Sequence, residues 1–181
     1  MAARARAYVG VGSNSARALN LGCGLRSLAQ QFGALELSTV YESAPAGGVG
    51  AAYWNLAVAF DTALNYSELR AQLKTLEDGC GRERGTQADG VVALDLDLLV
   101  LAPGDPATEV FDLPLDALLG ASYVLAPLAE LLPDWRHPAA GATLAELWHD
   151  CAPGTPLLSV VPPQELPPLA PDARGDMVVH T

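Results

Sequence analysis

Apolar and polar residues alternate with a period of two in four segments of the chain. This alternation is typical of strands, because successive side chains of a strand point to opposite faces of the sheet. The pattern predicts strands over Arg6–Val11, Leu35–Tyr41, Tyr53–Leu64 and Val91–Leu101.

Apolar residues recur at steps of three and four in other segments, which predicts amphipathic helices. The first helix follows Ser13, takes Asn14 or Ser15 as its N-cap and ends at Gly33. The other predicted helices lie between Tyr66 and Gly79, Ser122 and Leu132, and Ala142 and Asp150.

The order strand, helix, strand, strand, helix, strand indicates a fold class. It predicts an α+β fold with a ferredoxin-like split βαβ arrangement (βαββαβ), in which an antiparallel sheet carries helices on one face. Residues 1–151 are predicted to form one domain. Half of the fourteen prolines fall between Pro153 and Pro171. Residues 152–181 are therefore predicted to be a proline-rich tail, extended on the surface or disordered.

The last predicted strand contains two carboxylates in an apolar run, V-V-A-L-D-L-D-L-L-V-L. Asp95 and Asp97 share one face, and their side chains leave the strand about 6.6 Å apart. At an effective dielectric of 20, two such charges repel by roughly 2.5 kcal/mol. A divalent cation offsets this repulsion directly, and Mg²⁺ is commonly bound by one or two carboxylates together with substrate phosphates. The alternative is a half-exposed strand whose polar face carries two solvated aspartates.

The net charge of the chain limits the classes of binding partner that are expected. The 181 residues carry a net charge of −11, with Lys74 as the only lysine. Nucleic acids and anionic membranes are bound through basic surfaces, so neither is expected as a partner. A small anionic ligand requires a local concentration of arginine or a metal ion.

Cys23, Cys80 and Cys151 are far apart in sequence and have no metal-ligand or redox spacing. They are predicted to be buried or incidental thiols. The sequence contains no apolar run as long as a membrane span, and the residues after Met1 do not form a signal-peptide pattern. The default expectation is a reduced, cytoplasmic compartment.

Six short motifs, taken together, resemble one enzyme family. They are Y-V-G-V-G-S-N at Tyr8–Asn14, S-T-V-Y-E-S-A-P-A-G at Ser38–Gly47, Y-W-N at Tyr53–Asn55, L-E-D-G-C-G-R-E-R at Leu76–Arg84, L-D-L-D-L-L at Leu94–Leu99 and Y-V-L-A-P-L at Tyr123–Leu128. Their order and spacing resemble 6-hydroxymethyl-7,8-dihydropterin pyrophosphokinase from roughly Tyr8 to Trp148. That folate-pathway family transfers a pyrophosphoryl group from ATP to a pterin alcohol. The resemblance implies a Mg²⁺-dependent kinase-type transferase that binds ATP and a reduced pterin alcohol.

The resemblance also implies roles for individual residues. The Mg²⁺ ligands would be Asp95 and Asp97, which with Arg82 and Arg84 form the catalytic set. The nucleotide would contact Arg82, Arg84 and Glu77. The pterin would be bound by Ser43, Ala44, Tyr53, Asn55 and Tyr123, since aromatic faces stack on a flat heterocycle and an amide pairs with its edge.

Simpler structural roles compete with three of these assignments. Glu77 is equally compatible with an ordinary exposed helix charge. The two tyrosines are compatible with core packing. For Asn55 a purely structural role is less natural, because asparagine is depleted in strands.

The chain departs from the family pattern at four positions. Asp89 replaces a stacking tryptophan, Val92 and Ala121 replace arginines, and Leu115 replaces a histidine. An arginine that stabilises phosphoryl-transfer charge contributes about 10³ to 10⁵ in rate. Two hypotheses follow: a divergent pyrophosphokinase with weakened activity, or a pterin- or nucleotide-binding pseudo-enzyme that acts through a protein partner. The sequence leaves open whether Arg70 or Arg136 replaces a lost cation.

Overall fold

The computed structural model describes residues 4–45, 48, 50–82, 90–103, 110–111, 114–151, 159–162 and 178–179. Its five helices are α1 (Arg17–Phe32), α2 (Tyr66–Gly79), α3 (Leu115–Gly120), α4 (Ser122–Leu131) and α5 (Leu144–Cys151). Its strands are β1 (Ala5–Ser13), β2 (Glu36–Leu37), β3 (Tyr41–Ser43), β4 (Tyr53–Thr62), β5 (Asp95–Pro103), β6 (Val110–Phe111), β7 (Ser159–Val160) and β8 (Val178–Val179).

The strands of the described residues form one sheet in the order β6-β5-β1-β4-β2-β8. The central strand β1 pairs antiparallel with both β4 and β5. This order confirms the predicted α+β class and its split βαβ connectivity. The predicted strand Leu35–Tyr41 is interrupted, because β2 and β3 are separate short strands that both pair with β4.

Helices cover both faces of the sheet, which corrects the prediction of helices on one face. Apolar residues of α1 and α2 pack on one face, and those of α3, α4 and α5 pack on the other. The reason lies in β4, where Leu56 to Phe60 is buried without interruption. A strand buried on both faces needs a layer of helices on each.

The start of α1 differs from its prediction. The N-cap is Ala16, in the left-handed region at φ 40°, and no side chain caps the helix. The expectation that Asn14 or Ser15 would cap the helix is wrong. The side chain of Asn14 contacts the segment before β5: its Nδ2 donates to the Gly90 carbonyl at 2.7 Å, and its Oδ1 accepts from the Val92 N–H at 2.6 Å.

A disulfide joins Cys23 in α1 to Cys80 at the end of α2, across 57 positions of sequence. The prediction that these two are thiols is therefore wrong, whereas Cys151 is a free thiol. Spacing along the chain did not indicate the pair, because it forms only when α1 and α2 pack on the same face of the sheet. A Cα–Cα distance of 5.9 Å lies within the range of disulfides.

Part of the predicted tail pairs with the sheet. β7 pairs antiparallel with β3, and β8 pairs parallel with β2. Val161 is buried, and its N–H donates to the Val40 carbonyl at 2.9 Å. The domain boundary at residue 151 stays a prediction. Among the helices described here, none has the length and hydropathy needed to cross a membrane.

Candidate active site

The sheet register brings the predicted site residues together on the face that α4 covers. Gly12 of β1 lies opposite Asn55 of β4 on one side and Asp95 of β5 on the other. Two positions back along β1, Gly10 lies opposite Ala57 and Asp97. The glycines therefore lie between the strand that carries the amide and the strand that carries the two carboxylates.

The aspartates occupy the face that the alternation predicted. Leu94, Leu96 and Leu98 are buried in the core under α1 and α2, and Asp95 and Asp97 point to the opposite side. The pairing of β5 with β1 shifts register between Tyr8 and Val9, just beyond the aspartates. Such β-bulges are frequent next to active sites.

A cavity of about 310 Å³ lies between this face and α4. All five predicted pterin-site residues line it, together with both aspartates. The lining includes Gly10, Gly12, Asn14, Ser43, Ala44, Tyr53, Asn55, Asp95, Asp97, Leu99 and Tyr123. The structure thus joins the predicted pterin and metal subsites in one cavity.

Asn55 is held in one orientation inside this cavity. Its side chain is 8% exposed, and its Nδ2 donates to the Ser43 Oγ at 2.9 Å. Its Oδ1 lies against the backbone of Gly12. A buried asparagine fixed in this way can present hydrogen-bonding groups to the edge of a flat heterocycle.

Tyr53 and Tyr123 differ in exposure. Tyr123 is 39% exposed at the start of α4, and Tyr53 is partly buried. Burial raises the pKa of Tyr53, and the nearby Asp95 raises it further. The competing interpretation as core packing is therefore wrong for Tyr123, and both rings border the cavity.

The two aspartates have different surroundings. Arg82 donates through Nη1 to Asp95 Oδ1 at 2.6 Å and to the Leu94 carbonyl at 2.6 Å. Asp97 has a pKa raised to about 6 by burial and by the charges of Asp95 and Glu77, against the lowering effect of Arg82 and Arg70. The carboxylates thus repel one another, and a bound cation would relieve that repulsion.

Glu77 is 5% exposed, so its interpretation as an exposed helix charge is wrong. Its Oε1 accepts the Leu96 N–H at 2.8 Å. This bond attaches the end of α2 to β5 between the two aspartates, and it occupies one oxygen of the third carboxylate of the site.

The donor set fits Mg²⁺. Asp95 and Asp97 offer hard carboxylate oxygens on one face, and the described residues contain no cluster of three or more His, Cys, Asp or Glu that would hold a metal alone. A cation bound by two carboxylates retains positions for water or phosphate oxygens, as Mg²⁺ sites on nucleotides usually do.

Residues 8–133 match the family described as 7,8-dihydro-6-hydroxymethylpterin-pyrophosphokinase (HPPK). The chain belongs to this family. It is 32% identical to a Synechocystis protein named 2-amino-4-hydroxy-6-hydroxymethyldihydropteridine pyrophosphokinase, over 96% of this chain and 92% of that protein. A Bacillus subtilis protein of the same name is 32% identical over 59% of this chain and 64% of its own length.

Three of the four departures from the HPPK pattern lie among the described residues. Val92 donates its backbone N–H to Asn14, Leu115 begins α3, and Ala121 connects α3 to α4. None of the three supplies a cation. Arg84 and Asp89 lie outside the described residues.

Arg70 and Arg136 differ in position, which addresses the question that the sequence left open. Arg136 donates a hydrogen bond to the Gly141 carbonyl and forms an ion pair with Glu146, away from the cavity. Arg70 lines a smaller cavity of about 160 Å³, together with Lys74, Arg82 and Asp97. Of the two, Arg70 is the one near the aspartates.

Gly10, Gly12 and Asn14 line the cavity but were not predicted as site residues from the sequence. The signal was present in the motif Y-V-G-V-G-S-N, where the glycines alternate with buried valines. The motif alone could not show that these glycines lie between Asn55 and the aspartates, because that depends on how three strands pair.

Proposed function

We propose that the protein transfers a pyrophosphoryl group from ATP to 6-hydroxymethyl-7,8-dihydropterin, with Mg²⁺, in folate biosynthesis. The pyrophosphokinase activity follows from membership of the HPPK family and from the names of the relatives. The observation that supports the proposal most is the row Asn55–Gly12–Asp95, because it brings a group suited to a heterocycle edge and a metal carboxylate into one cavity.

In this proposal the pterin lies between Tyr53 and Tyr123, and Asn55 pairs with the edge of its ring. Ser43 holds the Asn55 amide, and Ala44 borders the same end of the cavity. Stacking against the two tyrosines and one fixed hydrogen-bonding edge would orient the hydroxymethyl arm toward Asp95 and Asp97.

The phosphates of ATP lie on the side of the aspartates. Asp95 and Asp97 would hold Mg²⁺, which when bound would supply positive charge to offset that of the phosphates. Arg82 is mostly buried, and its Nε has no hydrogen-bond partner among the described residues. Arg82 pairs with Asp95 through Nη1 and places a positive charge beside the proposed phosphate site. Glu77 acts indirectly, since it holds β5 between the two aspartates. For Arg84 the role of a phosphate ligand rests on the family resemblance alone.

The reaction is an in-line displacement at the β-phosphorus. The hydroxymethyl oxygen of the pterin forms a bond to that phosphorus, and the bond from it to the oxygen of the α-phosphate breaks. AMP leaves with the bonding electrons, and the hydroxyl proton passes to solvent. Positioning and charge neutralisation are the main contributions of a protein to such a step.

The comparisons do not favour the binding-protein alternative, because the matching family and both relatives carry the name of the pyrophosphokinase. A cytoplasmic location and the exclusion of nucleic acids and membranes as partners stay predictions from composition and charge.

Mg²⁺-dependent release of AMP from ATP, in the presence of the reduced pterin alcohol, tests the proposal. Turnover should require pterin and Mg²⁺ together and should cease with EDTA. The double variant Asp95→Asn/Asp97→Asn should lose about 10³-fold or more in rate, the scale on which phosphoryl-transfer charge is stabilised. Circular dichroism provides the control for folding. Wild-type protein that binds pterin and ATP without releasing AMP would favour the pseudo-enzyme instead.

A further inference from the structure

Gly12 lines the cavity and lies directly between Asn55 and Asp95 in the sheet register. Adjacent strands are about 4.8 Å apart, so the backbones of these two residues are separated by roughly 10 Å with β1 between them. With glycine at position 12, no side chain rises between the amide and the carboxylate.

The space above Gly12 is limited by the Asn55 side chain. A Cβ built on Gly12 would lie 3.1 Å from Asn55 Oδ1, which is tighter than an ordinary van der Waals contact. The amide could not move away freely, because it is buried and its Nδ2 is bonded to Ser43. Any side chain at position 12 would therefore displace the amide, weaken its bond to Ser43, or both.

Gly10 provides a matched comparison on the same strand and face. A Cβ at Gly10 would lie 3.5 Å from Leu99 Cδ1, an ordinary contact with the end of a flexible side chain. Neither Gly10 nor Gly12 is among the described glycines with positive φ, so the backbone accepts alanine at both positions. The two positions differ in what a methyl group would meet.

We propose that Gly12 is a positioning residue for pterin recognition: it leaves the space in which the Asn55 amide is fixed at the edge of a flat heterocycle. This inference rests on the proposed function. A bicyclic pterin bound in this way has one edge at Asn55 and its hydroxymethyl arm above the carboxylates. Gly12 thus keeps the Asn55 amide, which would recognise the ring, at a fixed distance from the carboxylates of Asp95 and Asp97.

The test compares Gly12→Ala with Gly10→Ala by fluorescence titration of the reduced pterin alcohol, with a non-hydrolysable ATP analogue and Mg²⁺ present. Gly12→Ala should weaken pterin binding by about ten- to a hundredfold, because a buried hydrogen-bonding group is displaced. In steady-state kinetics the KM for pterin should rise while the KM for ATP stays unchanged. Gly10→Ala should weaken pterin binding less than Gly12→Ala does, because its Cβ would meet the flexible end of Leu99 and not the fixed amide. Equal effects at the two positions would overturn the inference.

A double-variant cycle tests whether Gly12 acts through Asn55. If it does, Gly12→Ala/Asn55→Ala should bind pterin no more weakly than Asn55→Ala alone, since the displaced amide is already gone. Losses that multiply would show independent roles and overturn the inference. If Gly12→Ala lowers the thermal midpoint, adding Asn55→Ala should restore that midpoint, and a midpoint that stays low would contradict the proposed contact. Wild-type protein that binds no pterin would instead refute the proposed function, while the midpoints would still test the contact.

Discussion

The two faces of the sheet are built from different kinds of side chain. On the face under α1 and α2, the strands carry large apolar residues, among them Val9, Val11, Trp54, Leu56, Val58 and Phe60. On the face under α4, the neighbouring positions of the same strands are small or polar, among them Gly10, Gly12, Asn55, Ala57 and Asp97. Each strand thus supports the fold on one side and leaves space for a ligand on the other.

The comparison shows how one alternating pattern can serve two purposes. Phe60 is fully buried and stacks on Phe32 of α1 with ring centroids 4.3 Å apart, and the Cys23–Cys80 bond joins α1 to α2 on the same side. The opposite side contains Asp97, whose pKa is raised by burial and by the charges of Asp95 and Glu77. Substitutions on the first side should therefore change stability, and substitutions on the second should change ligand binding.

The largest effect on stability is expected from removing the disulfide on the face of the sheet under α1 and α2. Cys23→Ser/Cys80→Ser should lower the free energy of unfolding by about 2–4 kcal/mol, because the bond restricts the unfolded chain over 57 positions. Denaturant unfolding measures this loss, and a reducing agent should reproduce it in the wild-type protein. Cys151→Ser is the matched control, since Cys151 is a free thiol. Unfolding curves that coincide with and without reductant would contradict a stabilising disulfide.

An intermediate effect is expected from substitution of Asn55, which lies on the face under α4. This effect should be on ligand binding. Asn55→Ala should cost about 1–3 kcal/mol in pterin binding, because groups that pair with a buried amide lose their partner. Ligand fluorescence titration provides the measurement. Asp61→Ala, an exposed position on the same strand, is the control and should bind pterin normally. Tight binding of ATP by a wild-type protein that binds no pterin would refute the assignment of this end of the cavity.

The smallest effect is expected from substitution of Asp97. This substitution should raise the free energy of unfolding, whereas most substitutions lower it. Its pKa in the folded protein is about 6, above the ordinary 3.8, so the folded state favours the protonated form. The protonated Asp97 carboxyl group therefore contributes to the stability of the folded state. This contribution is fully present below about pH 4 and is lost as the pH rises through 6. Asp97→Asn should therefore raise the free energy of unfolding at pH 7.5 by on the order of 1 kcal/mol, a value reduced for solvent screening at this partly exposed site.

Urea unfolding of Asp97→Asn and wild-type protein at pH 4.5 and pH 7.5, without Mg²⁺, measures this difference. The stabilisation should be small at the lower pH and larger at the higher one, and Mg²⁺-dependent turnover should be lost. A stabilisation that is the same at both pH values would show that the ionised Asp97 carboxylate is not its cause.

Local patterns in the sequence determined much of the fold and part of the site. A period of two placed Asp95 and Asp97 together opposite Leu94, Leu96 and Leu98, because side-chain direction in a strand depends only on position parity. The order of strands and helices indicated the split βαβ sheet for a similar reason, since short connections restrict how successive elements can pair. The family motifs also indicated seven of the residues that line the cavity, namely Ser43, Ala44, Tyr53, Asn55, Asp95, Asp97 and Tyr123.

Contacts between residues distant in sequence were decided only by the tertiary structure. Glu77 has the local pattern of a surface helix residue, yet it is buried against the Leu96 N–H because α2 packs on β5. Cys23 and Cys80 have no informative spacing, yet α1 and α2 bring them into bonding distance. Asn14 has the sequence signature of a helix cap, but the strand pairing places its amide beside Gly90 and Val92. In each case the partner lies on another element, and its position depends on packing and register, which the local period of the sequence does not encode.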